Sequence, residues 1–357
     1  MAGNDAIRAL EKAFAGERLS LDEGLVLLES APLLDLGAAA DGARERRHRD
    51  GVATYIVDRN INYTNVCVAR CAFCAFYRKP GDPEGYVLSI EAILQKIRET
   101  EELGGTGILL QGGHHPTLPF SYYEEMLGAI RERFPAIHVH AFSPPELTYF
   151  AKRFGLPLEE VVARLKAAGL MSIPGGGAEI LSDAVREDMA RGKATVEEWL
   201  AVMREAHRQG LRTTATMMFG SIESPRDILT HLCHLRGLQD ETGGFTAFIP
   251  WTFQPGPDTP LQEAPATGVD YLRVVALSRL FLDNFDNVQA SWVTQGLKMG
   301  QVALRFGAND MGSIMIEENV VAAAGCRNRT NEEELRRLIR DAGFTPRKRR
   351  TLYEPAE

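Results

Sequence analysis

The first fifty residues have the spacing of amphipathic helices. Ser20 and Glu23 form a capping box, in which each side chain satisfies a backbone N–H at a helix start. Leu21, Leu25 and Leu28 then recur at intervals that place them on one helical face. The alanine- and arginine-rich stretch 38–49 predicts a solvent-exposed helix. We therefore expect a helical segment over residues 1–50.

From residue 51 the pattern changes to short apolar strands that alternate with amphipathic helices. Roughly six to eight such units follow one another, which predicts parallel strands joined by right-handed crossovers. The fold class is therefore α/β, and the expected architecture is a TIM-type (β/α) barrel over residues 51–320, with a doubly wound open sheet as the alternative. Residues 321–357 form a C-terminal extension, in which the basic run 347–350 is expected to be a solvated tail.

Composition and charge restrict the classes of function. The chain has 357 residues, of which 45% are hydrophobic and 25% charged, as in globular proteins. Its net charge of −8 leaves no basic excess for general binding of nucleic acid. The longest apolar runs are too short to cross a membrane, and no signal-peptide pattern opens the chain. We expect a soluble, cytoplasmic protein that binds neither nucleic acid nor membranes.

Three of the five cysteines stand close together. Cys67, Cys71 and Cys74 follow the first predicted strand with the spacing C-x3-C-x2-C, whereas Cys233 and Cys326 are isolated and expected to be structural thiols. An odd, clustered set is unlike a secreted disulfide framework and is typical of metal-binding thiols. Because barrel enzymes carry their active sites at the carboxyl ends of the strands, we expect these thiols at the mouth of the barrel.

Three thiolates suit a [4Fe–4S] cluster with one open iron. A cluster that only carries electrons or supports structure normally takes four cysteines, so the missing ligand leaves one iron free for a small molecule. A zinc site completed by His114 or His115 is the alternative, although structural zinc usually uses two separated cysteine pairs.

This motif, placed after the first strand of a (β/α) barrel, resembles that of the radical S-adenosylmethionine superfamily. The resemblance implies that Cys67, Cys71 and Cys74 hold the cluster and that the methionyl amine and carboxylate of S-adenosylmethionine chelate the open iron. Reductive cleavage would then yield methionine and a 5′-deoxyadenosyl radical, while the protein supplies geometry and excludes water. The expected electron donor is a flavodoxin or a ferredoxin.

The resemblance also implies a glycine-rich segment after the second strand. Gln111, Gly112 and Gly113 match the segment that hydrogen-bonds the methionyl amine, and His114 stands where an acidic residue is usual. Two glycines at a strand end also let the backbone approach a ligand closely, although a simple tight turn explains them as well.

Five other residues are candidates for contacts with the cofactor. Phe73 is the aromatic residue before the third cysteine, and Ser143 lies just past the third strand. Glu179 is expected to bind a ribose hydroxyl or the methionyl amine. Arg186 pairs with the methionyl carboxylate in this scheme, although a solvated helix position explains it equally well. The backbone near Met218 is expected to flank the adenine.

Longer stretches narrow the resemblance to one branch of the superfamily. Residues 105–116, 140–146, 172–181 and 240–255 look most similar to the cyclic dehypoxanthine futalosine synthase family of menaquinone biosynthesis. The resemblance implies that the radical takes hydrogen from C4′ of the ribose of dehypoxanthine futalosine. The carbon radical would add to the benzoate ring, and loss of a proton and an electron would restore aromaticity.

Such a substrate needs a cation for its carboxylate and a base for its ring. The candidate cations are Arg78, Arg305 and Arg327. The candidate bases are Glu146, His114 and His140. His138 shares a strand face with His140 and is more simply explained as a core histidine.

Besides a zinc-binding scaffold, which metal analysis would identify by zinc in place of iron, two alternative functions stay open. One is another enzyme of the same branch, namely an aminofutalosine synthase or a deazaflavin synthase subunit. The other is a non-catalytic iron–sulfur carrier or sensor, against which three cysteines rather than four argue.

Overall fold

Ten parallel-paired strands occur in a computed structural model that describes residues 2–257 and 259–356. They are β1 (Val52–Ile56), β2 (Asp58–Asn62), β3 (Gly107–Gln111), β4 (His138–Ala141), β5 (Ser172–Ile173), β6 (Arg212–Phe219), β7 (Phe245–Thr252), β8 (Asn287–Val288), β9 (Asp310–Ser313) and β10 (Thr345–Lys348). A seven-stranded sheet runs in chain order from β2 to β8, and a three-stranded sheet has the order β10-β1-β9.

The two sheets join into a barrel. Val57 alone separates β1 from β2, so one stretch of chain belongs to both sheets. On the other side, the N–H of Asn309 donates to the carbonyl of Val288 at 3.0 Å, and the N–H of Ala290 donates to that of Asp310 at 2.8 Å. Hydrogen bonding therefore continues from β2 to β8, through β9 and back to β1. The prediction of a (β/α) barrel is confirmed.

Helices surround this barrel, and the two shortest, at 292–295 and 320–323, line the cavity inside it. They are α1 (Ala2–Ala15), α2 (Leu21–Ser30), α3 (Leu33–Arg47), α4 (Ile90–Glu102), α5 (Phe120–Arg133), α6 (Pro144–Phe154), α7 (Leu158–Ala168), α8 (Asp183–Met189), α9 (Val196–Arg208), α10 (Pro225–Thr242), α11 (Gly268–Phe281), α12 (Trp292–Gln295), α13 (Leu297–Ala303), α14 (Val320–Ala323) and α15 (Glu332–Asp341). None of the helices in the described residues is long and apolar enough to cross a bilayer.

Local signals place the helix starts. The capping box of Ser20 and Glu23 forms at the start of α2, and Thr195 with Glu198 forms another at α9. In α9 the apolar face, which includes Trp199, is buried against the barrel. The N-terminal helices pack mainly against α10 and α11 on the outside, so they brace the barrel without entering it.

Two expectations about exposure are wrong. The stretch 38–49 is not wholly exposed, because Ala39, Ala40 and Ala43 in α3 are buried where α3 packs against α11. The basic run 347–350 is not a solvated tail, since β10 pairs with β1 and Arg349 is only 4% exposed. The end of the chain thus closes the amino-terminal end of the barrel, which we call the floor.

Candidate active site at the mouth of the barrel

A loop between β2 and α4 carries the three clustered cysteines. Thr64 and Asn65 fasten its base to the returning chain. Thr64 Oγ1 donates to the carbonyl of Tyr86 at 2.6 Å, and the Asn65 side chain donates to the carbonyl of Glu84 at 3.0 Å. The loop therefore folds back on itself at the carboxyl end of β2, which is where the sequence predicted the thiols.

All three thiols line one cavity of about 220 Å³. Cys71 is buried, and Cys67 and Cys74 are half-buried. The backbone N–H groups of Ala69 and His114 donate to Cys67 Sγ at 3.4 and 3.3 Å. Such donors stabilise a thiolate and are among the contacts that tune cluster potentials.

The pKa values of the thiols in this cavity suit a site in which metal replaces the thiol protons. Burial raises the pKa of the Cys71 thiol to about 12, while the Lys193 ammonium acts to lower it. Burial also raises the pKa of Cys74. Thiols with raised pKa values are protonated without a metal, so metal binding releases protons.

The donor set fits an iron–sulfur cluster. Among the described residues, no group of three His, Cys, Asp or Glu side chains is arranged around a single metal ion. Cys67, Cys71 and Cys74 nevertheless share one cavity, as ligands to separate irons of a cluster do.

Gly112 and Gly113 bring the end of β3 against the cysteine loop. A Cβ on Gly112 would lie 2.4 Å from the Tyr63 ring, and one on Gly113 would lie 2.3 Å from the carbonyl oxygen of Val66. Neither position has room for a side chain, so this wall of the cavity is bare backbone.

Glu146 holds this wall in place. Its Oε1 accepts from Tyr63 Oη at 2.7 Å and from the N–H of Gly112 at 3.0 Å. Its Oε2 accepts from the N–H and from the hydroxyl of Ser143, both at 2.7 Å. Burial raises the pKa of Glu146 against these four hydrogen bonds, which act to lower it. With both oxygens engaged, the carboxylate orients the glycine segment and the Ser143 turn.

An acidic and a basic side chain meet on the opposite side of the cavity. Lys193 Nζ lies 2.5 Å from Glu179 Oε1 and 5.1 Å from the centre of the Phe73 ring. Burial acts to lower the pKa of Lys193, but the neighbouring Cys71 and Glu179 raise it overall. Glu179 has a left-handed backbone with φ 42°, a strained conformation that persists only where the surroundings impose it.

Arg186 and Met218 lie behind this wall. Arg186 donates to the carbonyl oxygens of Gly177, Ala178 and Ala194, so its guanidinium braces the loop that presents Glu179 and Lys193. Met218 is buried in β6, and its N–H donates to the carbonyl of Glu179 at 3.0 Å.

The three candidate bases are not brought together. His114 and Glu146 line the cysteine cavity, whereas His140 lines a separate cavity deeper in the barrel. His114 is stacked on Tyr149 at 4.7 Å between ring centres, and burial lowers its pKa to about 3. Its imidazole therefore stays neutral near pH 7.

The deeper cavity, which we call the lumen, has a volume of about 300 Å³. It touches the cysteine cavity through four shared lining residues, Gln111, Gly176, Trp251 and Val320. Trp292, Ile249 and Val293 give it an apolar wall, and Thr214, Thr216, Gln289 and Thr294 add polar groups. A molecule in the lumen therefore lies directly below one in the cysteine cavity.

A charged network closes the floor of the lumen. Arg349 donates to both oxygens of Asp310 at 2.6 and 2.9 Å, and its guanidinium lies 3.9 Å from the centre of the Tyr353 ring. The Ser313 hydroxyl donates to Asp58, and burial raises the pKa of that carboxyl. The Tyr353 hydroxyl is buried and has no partner among the described residues.

Sequence reasoning missed Lys193 and the floor. Lys193 is a single lysine in a loop, and no spacing marks it. Gly192 beside it gives a weak signal, because a Cβ there would lie 2.4 Å from the carbonyl oxygen of Ala69, which requires glycine. Arg349 was hidden in a basic run that is typical of exposed tails.

The candidate cations for a benzoate lie in three different places. Arg78 bonds to Glu84 and to carbonyl groups of its own loop. Arg305 is bonded to the carbonyl of Ala342 on the outer surface. Arg327 lines a small cavity of about 260 Å³ that shares Met315 and Glu318 with the lumen.

The chain is similar to several known proteins over most of its length. A model of the radical SAM superfamily matches residues 61–233, and a model of the CofH/MqnC C-terminal region matches residues 242–357. The chain is 48% identical to cyclic dehypoxanthine futalosine synthase of Halalkalibacterium halodurans, over 97% of this chain and 93% of that protein. It is 46% identical to the protein of the same name from Streptomyces coelicolor, over 97% of this chain and 87% of that protein. It is 42% identical to 5-amino-6-(D-ribitylamino)uracil–L-tyrosine 4-hydroxyphenyl transferase of Methanopyrus kandleri, over 94% of each chain.

A solved structure shares the fold at low sequence identity. Methylornithine synthase superposes with a TM-score of 0.71 at 18% identity, covering 95% of this chain and 97% of that one. At that identity the likeness extends to the fold alone.

Proposed function

Because this chain belongs to the radical SAM superfamily, in the family of cyclic dehypoxanthine futalosine synthase, we propose that it cyclises dehypoxanthine futalosine in menaquinone biosynthesis. The observation that carries the proposal is the 48% and 46% identity to two synthases of that name over 97% of the chain. The arrangement of the two cavities supports it, since a cofactor site at the mouth lies directly above a lumen of suitable size for a small molecule.

Cys67, Cys71 and Cys74 would hold the [4Fe–4S] cluster in this proposal. When bound, the cluster and S-adenosylmethionine supply the radical that removes hydrogen from the substrate. The protein's own part is to bury the thiols, to stabilise Cys67 through two backbone N–H groups, and to place the Lys193 ammonium beside Cys71.

Glu179 and Lys193 suit the charged end of S-adenosylmethionine. A carboxylate can accept from the methionyl ammonium, and an ammonium can pair with the methionyl carboxylate. Lys193 suits that second role better than Arg186, whose guanidinium is already bonded to three carbonyl groups. Gln111, Gly112, Gly113 and Ser143 line the same cavity and would contact the methionyl or ribose part, with Phe73 as its aromatic wall.

The lumen suits the substrate, a ribose joined through a ketone-bearing chain to a benzoate ring. Trp251 belongs to both cavities and Trp292 to the lumen, so the aromatic ring would pack among them. Arg327 lines the side cavity next to the lumen and is the candidate cation for the benzoate carboxylate. The hydroxyl and amide groups of Thr216, Gln289 and Thr294 would bind the ribose and ketone oxygens.

We further propose that the reaction takes place in the cytoplasm with electrons from a flavodoxin or ferredoxin. Cys233 and Cys326, which lie outside the proposed cluster site, form no disulfide, as is typical of a reducing compartment.

The test is anaerobic reconstitution with iron and sulfide, followed by dithionite, S-adenosylmethionine and dehypoxanthine futalosine. We expect 5′-deoxyadenosine together with a product lighter than the substrate by a pair of hydrogens, read by mass spectrometry. If 5′-deoxyadenosine forms without that product, the substrate is wrong. Tyrosine with 5-amino-6-(D-ribitylamino)uracil and an enolpyruvyl benzoate are then tested in its place. If no 5′-deoxyadenosine forms from protein with a verified cluster, the enzymatic proposal is refuted in favour of an iron–sulfur carrier or sensor.

A further inference from the structure

Two imidazoles in β4 share one buried hydroxyl group. Ser172 Oγ in β5 lies 2.6 Å from Nδ1 of His140 and 2.7 Å from Nε2 of His138. Ser172 is 0% exposed, so no water competes for its hydroxyl. A single hydroxyl hydrogen serves only one of the two nitrogens, so the other nitrogen must carry the proton and donate to Ser172 Oγ.

This chain of three groups leads from the lumen to the floor. His140 lines the lumen, and because its Nδ1 is held by Ser172, Nε2 is the nitrogen that meets a molecule there. His138 is the first residue of β4 and lies at the floor, where the exposed Glu354 of the C-terminal tail acts on it electrostatically. Strand register places both imidazoles on the same face of β4, on either side of Val139.

The cyclisation proposed above releases a proton that must leave the barrel, and the inference below rests on that proposed function. The substrate loses two hydrogens. One leaves as an atom and ends in 5′-deoxyadenosine, and the other leaves the cyclised ring as a proton. The electron lost by the ring replaces the one used to cleave S-adenosylmethionine, so no other oxidant is required. The sulfonium charge of S-adenosylmethionine disappears as neutral methionine forms, and one proton is released in its place for each turnover.

We propose that His140, Ser172 and His138 form a relay that carries this proton from the cyclised substrate to the floor of the barrel. His140 Nε2 accepts the ring proton as its Nδ1–H passes to Ser172 Oγ, and the Ser172 hydroxyl proton passes to His138 Nε2. His138, which is partly exposed, then releases its Nδ1 proton to solvent water at the floor, near Glu354. His140 is a catalytic residue in this scheme, and Ser172 and His138 act through it.

The charges around the relay favour outward transfer. Burial lowers the pKa of His140 to about 3, with smaller contributions from His138 and Arg349 in the same direction, whereas a hydrogen bond with the Ser172 backbone acts to raise it. Burial lowers the pKa of His138 to about 4, and Glu354 opposes this. Both imidazoles are therefore neutral before turnover. Arg349 acts against a positive charge on His140, whereas Glu354 acts in favour of one on His138, so both charges favour transfer from His140 to His138.

The test compares Ser172→Ala with a matched control, Thr213→Val. Thr213 Oγ1 lies 2.7 Å from Nε2 of His207, and Thr213 is as buried as Ser172 but lines neither cavity. Each variant thus removes one buried hydroxyl bonded to an imidazole. The quantity measured is cyclised product per 5′-deoxyadenosine, because hydrogen abstraction precedes the relay.

We expect the ratio to fall about tenfold or more in Ser172→Ala and to be unchanged in Thr213→Val, since general base steps commonly contribute at least that much. His138→Ala is the second variant, because it leaves Ser172 in place and removes the imidazole without filling its space. It should show the same loss, with partial recovery on addition of imidazole, which can occupy that space. Iron content and urea unfolding, measured in parallel, identify a variant that is merely misfolded.

A second readout needs no turnover. In protein labelled with ¹⁵N-histidine and without cluster, the outward arrangement requires His140 to be the Nδ1–H tautomer, and Ser172→Ala should change its nitrogen shifts. An Nε2–H tautomer of His140 that is indifferent to Ser172→Ala would overturn the relay. So would a normal product ratio in Ser172→Ala, or an equal loss in Thr213→Val. Absence of cyclised product from the wild-type protein would instead overturn the proposed function, and the relay with it.

Discussion

Replacing Gly113 with alanine should separate the two walls of the cysteine cavity. An added Cβ would lie 2.3 Å from the carbonyl oxygen of Val66 and 2.8 Å from Cys67 Cβ, where real Cβ contacts essentially never fall below 3.0 Å. These neighbours are backbone atoms or the Cβ of Cys67, so none of them can rotate away. The glycine segment and the cysteine loop must therefore move apart.

The cost follows from two contributions. Overpacking of a well-packed site typically costs 1–3 kcal/mol. The displacement also stretches two hydrogen bonds across the gap, from Gly113 N–H to the carbonyl of Thr64 at 3.1 Å and from His114 N–H to Cys67 Sγ at 3.3 Å. At about 1 kcal/mol for each such bond, we expect the free energy of unfolding to fall by about 3–5 kcal/mol.

The assay measures urea unfolding together with iron and sulfide per protein after reconstitution. Gly128→Ala in α5 is the matched control, because a Cβ at Gly128 meets nothing within 4 Å. It should raise stability by about 0.5–1 kcal/mol, as alanine does in a helix interior, and leave iron content unchanged. A Gly113→Ala protein with wild-type stability and a full complement of iron would refute this account of the cavity wall.

Three further predictions concern the cluster, the floor and pH. Cys71→Ser should abolish iron binding while Cys233→Ser keeps it, as measured by iron content and visible absorbance; retention of the cluster by the first variant would contradict the ligand assignment. Arg349→Met should lower the free energy of unfolding by about 3–5 kcal/mol, because it leaves the buried carboxylate of Asp310 unpaired. Arg347→Met, which breaks the exposed pair with Asp50, should change it by less than about 1 kcal/mol. Equal effects of the two substitutions in urea unfolding would count against the floor network. The free energy of unfolding should fall as the pH drops from 7 to 5. Several imidazoles have pKa values of about 3 or 4 in the folded protein and about 6.5 in the unfolded chain, so the unfolded chain takes up protons first. A free energy of unfolding that does not change over this pH range would exclude this explanation. These imidazoles are His138, His140, His207 and His231.

The sequence was most informative where a local rule decides the structure. Capping boxes at Ser20 and Thr195 identified helix starts because both partners lie within one turn. The alternation of strands and helices predicted the barrel, since parallel strands require crossovers. The cysteine spacing predicted the loop at the mouth, because ligand chemistry and position after a strand act together.

Residues whose role depends on distant partners were not predictable in this way. Arg349 is buried because Asp310 on another strand neutralises it, and no local pattern shows that pairing. In the sequence, Arg186 and Lys193 are two similar cations near one helix. In the structure, the Arg186 guanidinium donates to backbone carbonyl groups, whereas Lys193 lines the cysteine cavity. The period of two put His138 and His140 on one face, but Ser172 between them follows from strand pairing.

A route for the proton through the floor is needed because the mouth of the barrel would be blocked during the proposed reaction. A radical reaction needs a site from which water is excluded, and in the proposed function the cofactors fill the mouth above the lumen. The ring proton therefore cannot leave by the route that the substrate used. A hydroxyl between two imidazoles passes a proton by exchanging hydrogen bonds, without any molecule moving through the wall. Ser172 is fully buried, so the wall stays closed to water while the charge crosses it. On this reasoning the C-terminal tail has two roles, because it seals the floor with Arg349 and provides, in Glu354, the negative charge toward which the proton moves.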